Sequence, residues 1–459
     1  MEFAGKKVTV IGFGREGLAA SRFMVERGAR VTVSDARKAE QLADNIGLAR
    51  GLPIDYALGG NRVEDTVNAD LVVVSPGVPL DIPAIVAARA AGVPITSETK
   101  LFVTLCRAPI IGITGSSGKT TTTSLVGEML RGDGRHVLVG GNIGAPLLGR
   151  LEEITASTLV VMELSSFQLL LMEKSPHVAA ITNLAPNHLD RHPHMEHYLE
   201  AKKNIVRFQK PSDFAVLNYG NSHCRAIAGD CAAKVLFFSS AARVESGSYV
   251  RDGRIVVTDQ GMEQTVCEVD GIKLRGWHNV ENVLTACAIA LACGVRSAAM
   301  AAVATSFQGV QHRLELVRQI GGVQYVNDSI ATSPDRTIAA LNSFVEPIVL
   351  LAGGRDKHLP LEELAGKIHG KCKQVILFGE AALLLGEAIE QWQRQHGARA
   401  LSVVRTGSMA DAVKLASELA VANDVVLLSP ACTSYDAFLD FEERGKEFRR
   451  LVVELAKQA

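Results

Sequence analysis

The chain has 459 residues, 47% of them hydrophobic and 21% charged, enough for about three domains that each bury a core. Lys plus Arg total 48 against 49 Asp plus Glu, which excludes a bulk charge suited to nucleic acid or an anionic membrane, and neither partner is expected. Eight cysteines without a C-x-x-C pair suit a reducing compartment. The apolar run at 8–13 is too short for a signal peptide, and the one near 283–295 is too short to span a bilayer, so a cytoplasmic location is expected.

Residues 6–35 read as strand, glycine turn, helix and strand. The first strand runs into Gly12-Phe13-Gly14-Arg15-Glu16-Gly17, an unbroken G-x-G-x-x-G, and the second ends at Asp35, where a Rossmann unit places its ribose-binding acid. Alone, this predicts dinucleotide binding and supports an NAD-dependent oxidoreductase. The plainer alternative is a glycine turn that only packs helix on strand. Residues 71–74 read as a buried parallel strand stopped by Ser75-Pro76-Gly77. Three strand ends (12–17, 34–37 and 75–77) are thus expected to converge where ligands of open α/β sheets sit. Residues 106–109 read as a joint, closing a first domain at 1–106.

A second segment, 107–310, opens on Ile110-Ile111-Gly112-Ile113-Thr114 followed by Gly115-Ser116-Ser117-Gly118-Lys119-Thr120-Thr121. An apolar strand breaking into glycines and hydroxyls before a helix is a phosphate cradle, built from backbone N–H groups and a helix N-terminus. Lys119 would reach the terminal phosphates, and Thr120 would ligate Mg²⁺. The strict G-x-x-x-x-G-K-[ST] spacing fails by one residue, since Ile113 holds the first glycine's place and Gly112 comes one position early. A glycine-rich turn with an incidental lysine is the alternative. The strand predicted at 159–162 delivers Glu163 to its carboxyl end, as a metal ligand or else a solvated surface acid. His188 and His192 have the spacing of a helical zinc pair, but Leu189 replaces the required Glu and Pro193 breaks the helix, so metallohydrolase chemistry is discounted. An Asp252-Gly253 turn predicts a hairpin over 249–256. Asn282 opens an apolar helix at 280–291, either as a cap or as an adenine contact. A third α/β segment, 311–459, again ends its strands in polar clusters, at 328–329, 353–357 and 429–434.

Together the motifs at 114–121, 163–168, 187–191, 278–282, 312–313, 327–332 and 353–357 resemble, in order, those of the Mur ligases, ATP-dependent amide-forming enzymes of peptidoglycan precursor synthesis. The loop Gly-x-Thr-Gly-x-x-Gly-Lys-Thr is similar to that of the wider Mur ligase and folylpolyglutamate synthase superfamily. The stretch Ser429-Pro-Ala-Cys-Thr-Ser-Tyr-Asp-x-Phe-x-x-Phe-Glu-x-Arg-Gly445 looks like the D-glutamate-adding branch, and the Asp-Asn-Pro-Arg of the diamino-acid-adding branch is missing. The resemblance implies three α/β domains: a Rossmann-like first, a central ATPase-like domain with a P-loop and a mixed or parallel sheet, and a Rossmann-like third. It implies a monomeric ligase that joins D-glutamate to UDP-N-acetylmuramoyl-L-alanine through an acyl phosphate. The alternative is another Mur or folylpolyglutamate-type ligase with a different amino-acid acceptor.

On this resemblance the first glycine turn holds a UDP-sugar and no nicotinamide. Arg15, Asp35, Arg37, Ser75 and Gly77 would surround its uracil and diphosphate, with Asn142 and His188 nearer the sugar and Ser165 and Gln168 also binding the UDP-sugar. ATP, the co-substrate, would meet Gly115, Ser116, Ser117, Gly118, Lys119, Thr120 and Thr121, with Asn279, Asn282, Arg313 and Asp328. Two Mg²⁺ ions are expected, on Thr120, Glu163, His188 and Lys202. Lys119, His188 and Lys202 would be catalytic. Lys202 matches the lysine this family carries as a carbamate, with Lys203 one position away as the alternative; without the resemblance it reads as a solvated helix lysine. Thr332, Lys357, Ser434 and Phe441 would grip D-glutamate, although a helix cap and a core aromatic are the ordinary readings of the last two. In place of the lysine in the branch's Asn-Asp-Ser-Lys-Ala-Thr, this chain has Ile330. Either another cation, Arg336 or Lys357, covers that charge, or the pocket differs.

Overall fold

A computed structural model describes residues 2–186, 191–274, 276–357, 359–397 and 400–458. Three sheets carry the chain. The first holds β1 (Lys7–Ile11), β2 (Arg30–Asp35), β3 (Ile54–Leu58), β4 (Leu71–Val74) and β5 (Ile95–Thr96) in the order β3-β2-β1-β4-β5, all parallel. The order reverses between β1 and β4, which opens a crevice at their carboxyl ends.

The second sheet has nine strands: β6 (Ile110–Thr114), β7 (His136–Gly141), β8 (Thr158–Glu163), β9 (Val178–Ile181), β10 (Phe214–Asn218), β11 (Lys234–Ser239), β12 (Gly247–Arg251), β13 (Arg254–Asp259) and β14 (Met262–Glu268). Their order is β14-β13-β12-β11-β10-β9-β6-β8-β7, parallel from β7 to β12 and antiparallel beyond. Every residue of β6 is buried, as a central parallel strand requires. The β12–β13 hairpin turns at Asp252 and Gly253, both with positive φ (49° and 73°), the primed turn that an Asp-Gly pair favours. One face of this sheet packs on the helices Lys119–Gly132 and Trp277–Ala292; the other shares a core with the first sheet.

The third sheet holds β15 (Glu315–Ile320), β16 (Val323–Asn327), β17 (Ile348–Gly353), β18 (Cys372–Phe378), β19 (Ser402–Arg405) and β20 (Val425–Ala431), in the order β15-β16-β20-β17-β18-β19. Only the β15–β16 pair is antiparallel. The chain divides into two compact units, Met1–Phe307 with the first two sheets and Gln308–Ala459 with the third. Each has its own apolar cores. Among the described residues no helix is long and apolar enough to cross a membrane.

Candidate active site

The first crevice is built by backbone contacts. Gly12 has φ +87°, and a Cβ on Gly17 would lie 1.9 Å from the Gly12 carbonyl oxygen, so the helix Arg15–Glu26 could not start this close with any side chain there. The Ser75 hydroxyl donates to the same carbonyl (2.7 Å), joining the third strand end to the first. Asp35 accepts from the Phe13 N–H (2.7 Å) and from the backbone and guanidinium of Arg37. Burial works against its charge, but the Arg37 guanidinium and these N–H groups hold the carboxyl below the usual range. Arg15 reaches the second sheet, donating to the carbonyls of Gly144 (2.7 Å) and Asn142 (3.2 Å). Arg191 donates to the Gly77 carbonyl (2.7 Å).

In the second sheet the two loop glycines are Gly115 and Gly118. Gly112 lies inside β6, where a Cβ would meet Pro176 at 2.5 Å; it is a packing glycine, which explains the one-residue misfit of the strict pattern. Gly118 opens the helix with φ +78°, and a Cβ there would sit 2.3 Å from Asn282 Oδ1. Asn282 therefore abuts the phosphate loop. It donates to Asn279 Oδ1 (2.9 Å), and the helix that carries it starts at Trp277 with Gly276 in the cap position, so the capping reading does not hold for it. Ser116 bonds Tyr198 OH (2.8 Å), and the Ser117 N–H donates to Asn183 Oδ1 (3.0 Å). Thr121 follows Thr120 in the first helical turn. Lys119 Nζ donates to the Gly115 carbonyl (2.9 Å).

Glu163, at the end of β8, is 2% exposed and so is not a solvated surface acid. It accepts from the Thr120 hydroxyl (2.7 Å) and from Asn142 Nδ2 (2.6 Å). A carboxylate and a hydroxyl at the mouth of a phosphate loop are the hard oxygen donors that Mg²⁺ takes, so these residues fit that ion. Lys202 is also 2% exposed, against the reading of it as a solvated lysine. Its Nζ donates to Thr114 Oγ1 and the Gly115 carbonyl (both 3.0 Å). Burial and the nearby Lys119 lower its proton affinity well below the ordinary value, with Glu163 opposing. Lys203 points elsewhere and pairs with Asp230. Ser165 and Gln168 form a capping box, and Gln168 Nε2 donates to Glu16 (2.9 Å). His188 lies outside the described residues. His192 bonds Ser166 and His197.

In residues 308–459 the ends of β16, β17 and β20 meet. Asp328, buried, accepts from Ser429 Oγ (2.9 Å) and the Leu314 N–H (3.2 Å), and burial pushes its carboxyl up to about 7. Arg313 is exposed and faces it electrostatically. Lys357 Nζ donates to Thr332 Oγ1 (3.3 Å). Ser434 is buried, and its backbone carbonyl accepts from Phe438 N–H (2.8 Å). Phe441 is half-buried, edge-on to His312 (6.4 Å).

Sequence reasoning assigned no role to Arg444, which is fully buried. Its guanidinium donates to the carbonyls of Ser329, Cys432 and Thr433 and to Ser329 Oγ, tying two strand-end loops together. Its place inside the Glu-x-Arg-Gly445 pattern was the only signal available. Glu16 and Glu98 were also missed. They face each other electrostatically in the core between the first two sheets, where no motif marks them.

A phosphate loop facing a buried acid, beside a second glycine turn at another switch point, is the arrangement of a nucleotide-using α/β enzyme. Family descriptions match in the same order: "Mur ligase MurD-like, N-terminal domain" over residues 6–97, "Mur ligase middle domain" over 113–290, and "Mur ligase, glutamate ligase domain" over 312–432. The UDP-N-acetylmuramoylalanine--D-glutamate ligase of Symbiobacterium thermophilum is 44% identical over 453 residues, 98% of each chain. That of Pelotomaculum thermopropionicum is 41% identical over 457 residues, 99% of each. Among solved structures, the UDP-N-acetylmuramate-alanine ligase MurC of Thermotoga maritima aligns with TM-score 0.53 at 20% identity, covering 99% of this chain and all of that one, a likeness of fold. The chain belongs to the Mur ligase family, whose members are ATP-dependent ligases.

Proposed function

We propose that the protein joins D-glutamate to UDP-N-acetylmuramoyl-L-alanine in peptidoglycan precursor synthesis, acting as a monomer in the cytoplasm. The observation that carries this reading is near-full-length similarity to relatives named for that reaction, in a chain whose phosphate loop faces a buried Glu163. The working division is 1–106 for the UDP-sugar, 107–310 for ATP and 311–459 for the amino acid.

An amine cannot displace oxide from a carboxylate at a useful rate. The alanyl carboxylate oxygen therefore attacks the γ-phosphorus of ATP, releasing ADP and leaving an acyl phosphate. The D-glutamate amine adds to its carbonyl carbon, and the tetrahedral intermediate expels phosphate as the amine loses a proton. Lys119 stabilises the charge moving onto the transferred phosphoryl group. Thr120 and Glu163 would hold Mg²⁺, with His188 and a carbamate on Lys202 as the donors for a second ion. Bound Mg²⁺ offsets the negative charge of the triphosphate. Burial of Lys202 beside Thr114 and Gly115 supports the carbamate, because a lysine that disfavours its protonated form presents the free amine that CO₂ needs. Arg15, Asp35, Arg37, Ser75, Gly77, Asn142, Ser165 and Gln168 are the residues we assign to the UDP-sugar. Asn279, Asn282, Arg313 and Asp328 are assigned to ATP, and Thr332, Lys357, Ser434 and Phe441 to D-glutamate.

The test is phosphate release from ATP with Mg²⁺ and UDP-N-acetylmuramoyl-L-alanine, offering D-glutamate, L-glutamate, L-alanine or meso-diaminopimelate. Release dependent on D-glutamate alone is expected. Release with another acceptor keeps the ligase chemistry and overturns the acceptor.

A further inference from the structure

We propose that Arg336 is a specificity-determining residue that pairs with one of the acceptor's two carboxylates, forming with Lys357 and Thr332 a two-cation clamp for a dicarboxylate amino acid. This rests on the reading of residues 308–459 as the acceptor-binding part. Arg336 Nη1 donates to the Ile330 carbonyl (3.1 Å), which lays its guanidinium along the loop that also carries Thr332. Lys357 Nζ donates to Thr332 Oγ1 (3.3 Å). Both cations are exposed, and among the described residues neither has a carboxylate within ion-pair distance.

Three further observations make an anion the fitting occupant. Arg336 lies in the first turn of the nine-residue helix Pro334–Asn342, where a cation opposes the helix dipole. Its hydrogen bond to the Ile330 carbonyl offsets part of that cost, and an anion held there would meet the guanidinium and the positive helix end together, beside Asp335 of the same turn. Arg444 adds a third positive charge nearby, and its hydrogen bonds go to carbonyls and a hydroxyl, with no carboxylate among them. Although the residue as a whole is exposed, partial desolvation of the Lys357 amine, and then Arg336, hold its proton affinity below the ordinary value, with Arg444 adding to the effect and Asp335 opposing it. Arg336, Lys357 and Arg444 repel one another, an effect that Asp335 and Asp436 offset only in part, and a dicarboxylate relieves that repulsion. Arginine's planar fork also matches a carboxylate's two oxygens.

The experiment compares the full-length wild type with R336A, R336Q and R336K in two readouts. R336Q keeps a polar stem and removes the charge, and R336K restores a charge without the planar fork, so a loss in R336Q that R336K partly recovers separates charge from packing. In turnover, R336A and R336Q should raise KM for D-glutamate about tenfold to a hundredfold, the worth of one charge-assisted hydrogen-bonded pair. KM for ATP and the UDP-substrate should hold, and R336K should recover part of the loss. Preference for D-glutamate over D-glutamine (side-chain amide) or D-isoglutamine (α-amide) should fall by a similar factor, and the amide for which it falls identifies the carboxylate Arg336 holds. KM and both preferences within twofold of wild type in R336Q would overturn the proposal. Independently of turnover, calorimetry should show glutarate binding wild type more tightly than butyrate, with the difference lost in R336Q; equal binding overturns it. Absence of D-glutamate-dependent turnover in the wild type would instead remove the ligase reading, leaving the glutarate measurement to decide the clamp.

Discussion

Lys202 and Glu163 show what burial does to the meaning of a charged residue. Both sit at 2% exposure beside the phosphate loop, one donating to Thr114 and Gly115, the other accepting from Thr120 and Asn142. A buried charge persists only when its partners, or a ligand, compensate the lost water. Replacing Glu163 with Gln keeps the shape and removes the anion. We expect Glu163→Gln to lower kcat about a hundredfold or more, with most of the loss not recovered by raising Mg²⁺, measured by phosphate release. The carbamate has a direct spectroscopic signature. Carbon-13 bicarbonate should give a carbamate carbonyl resonance in the wild-type protein that Lys202→Arg abolishes and Lys203→Arg leaves intact. A resonance surviving Lys202→Arg would place the modification elsewhere.

Single elements carry their own tests. The helix Lys119–Gly132 starts from a left-handed Gly118 that also faces Asn282, so Ala at 118 meets strain twice: about 1–2 kcal/mol from the backbone conformation, and more from a contact of 2.3 Å. Gly118→Ala should weaken ATP binding and lower Tm, whereas Gly14→Ala, with nothing within 4 Å of its Cβ, should leave Tm unchanged. The first turn of the helix Arg15–Glu26 holds Glu16, whose carboxyl is pushed up to about 8 by burial and then by Glu98, against Arg15 and a hydrogen bond from Gln168. The raised value means that the folded chain keeps a proton the unfolded chain releases. Stability is therefore unaffected by Glu16 below about 4.5, and it declines as pH rises from there to about 8. Glu16→Gln should flatten that decline and raise stability at pH 8 by a few kcal/mol, up to about 4, while leaving pH 4 unchanged, read from urea unfolding across pH.

At the scale of the molecule, the two compact units own separate apolar cores, so unfolding is expected in two transitions. UDP-N-acetylmuramoyl-L-alanine, whose assigned contacts all lie within residues 1–307, should raise the transition of that unit and leave the other in place, read by differential scanning calorimetry. A single transition raised as a whole would show that the units unfold cooperatively.

The features that are short and continuous were legible in the sequence. Apolar runs predicted β1, β4, β6 and β8; glycines at 12, 115 and 118 predicted turns; Asp252-Gly253 predicted a hairpin. Each depends on neighbours within a few residues, where sterics and periodicity act directly. The tertiary structure alone decided which distant residues meet. Thr120 and Glu163 are 43 positions apart, Lys202 and Thr114 are 88, and Arg444 and Ser329 are 115. Their contacts come from β8 and β9 flanking β6 and from β20 inserting between β16 and β17, an order set by how the sheets bury their faces. For the same reason Asn282 looked like a cap, Lys202 like a surface lysine and Gly112 like a misplaced loop glycine. Local pattern carries the backbone's choices, but burial and charge depend on what the rest of the chain brings alongside.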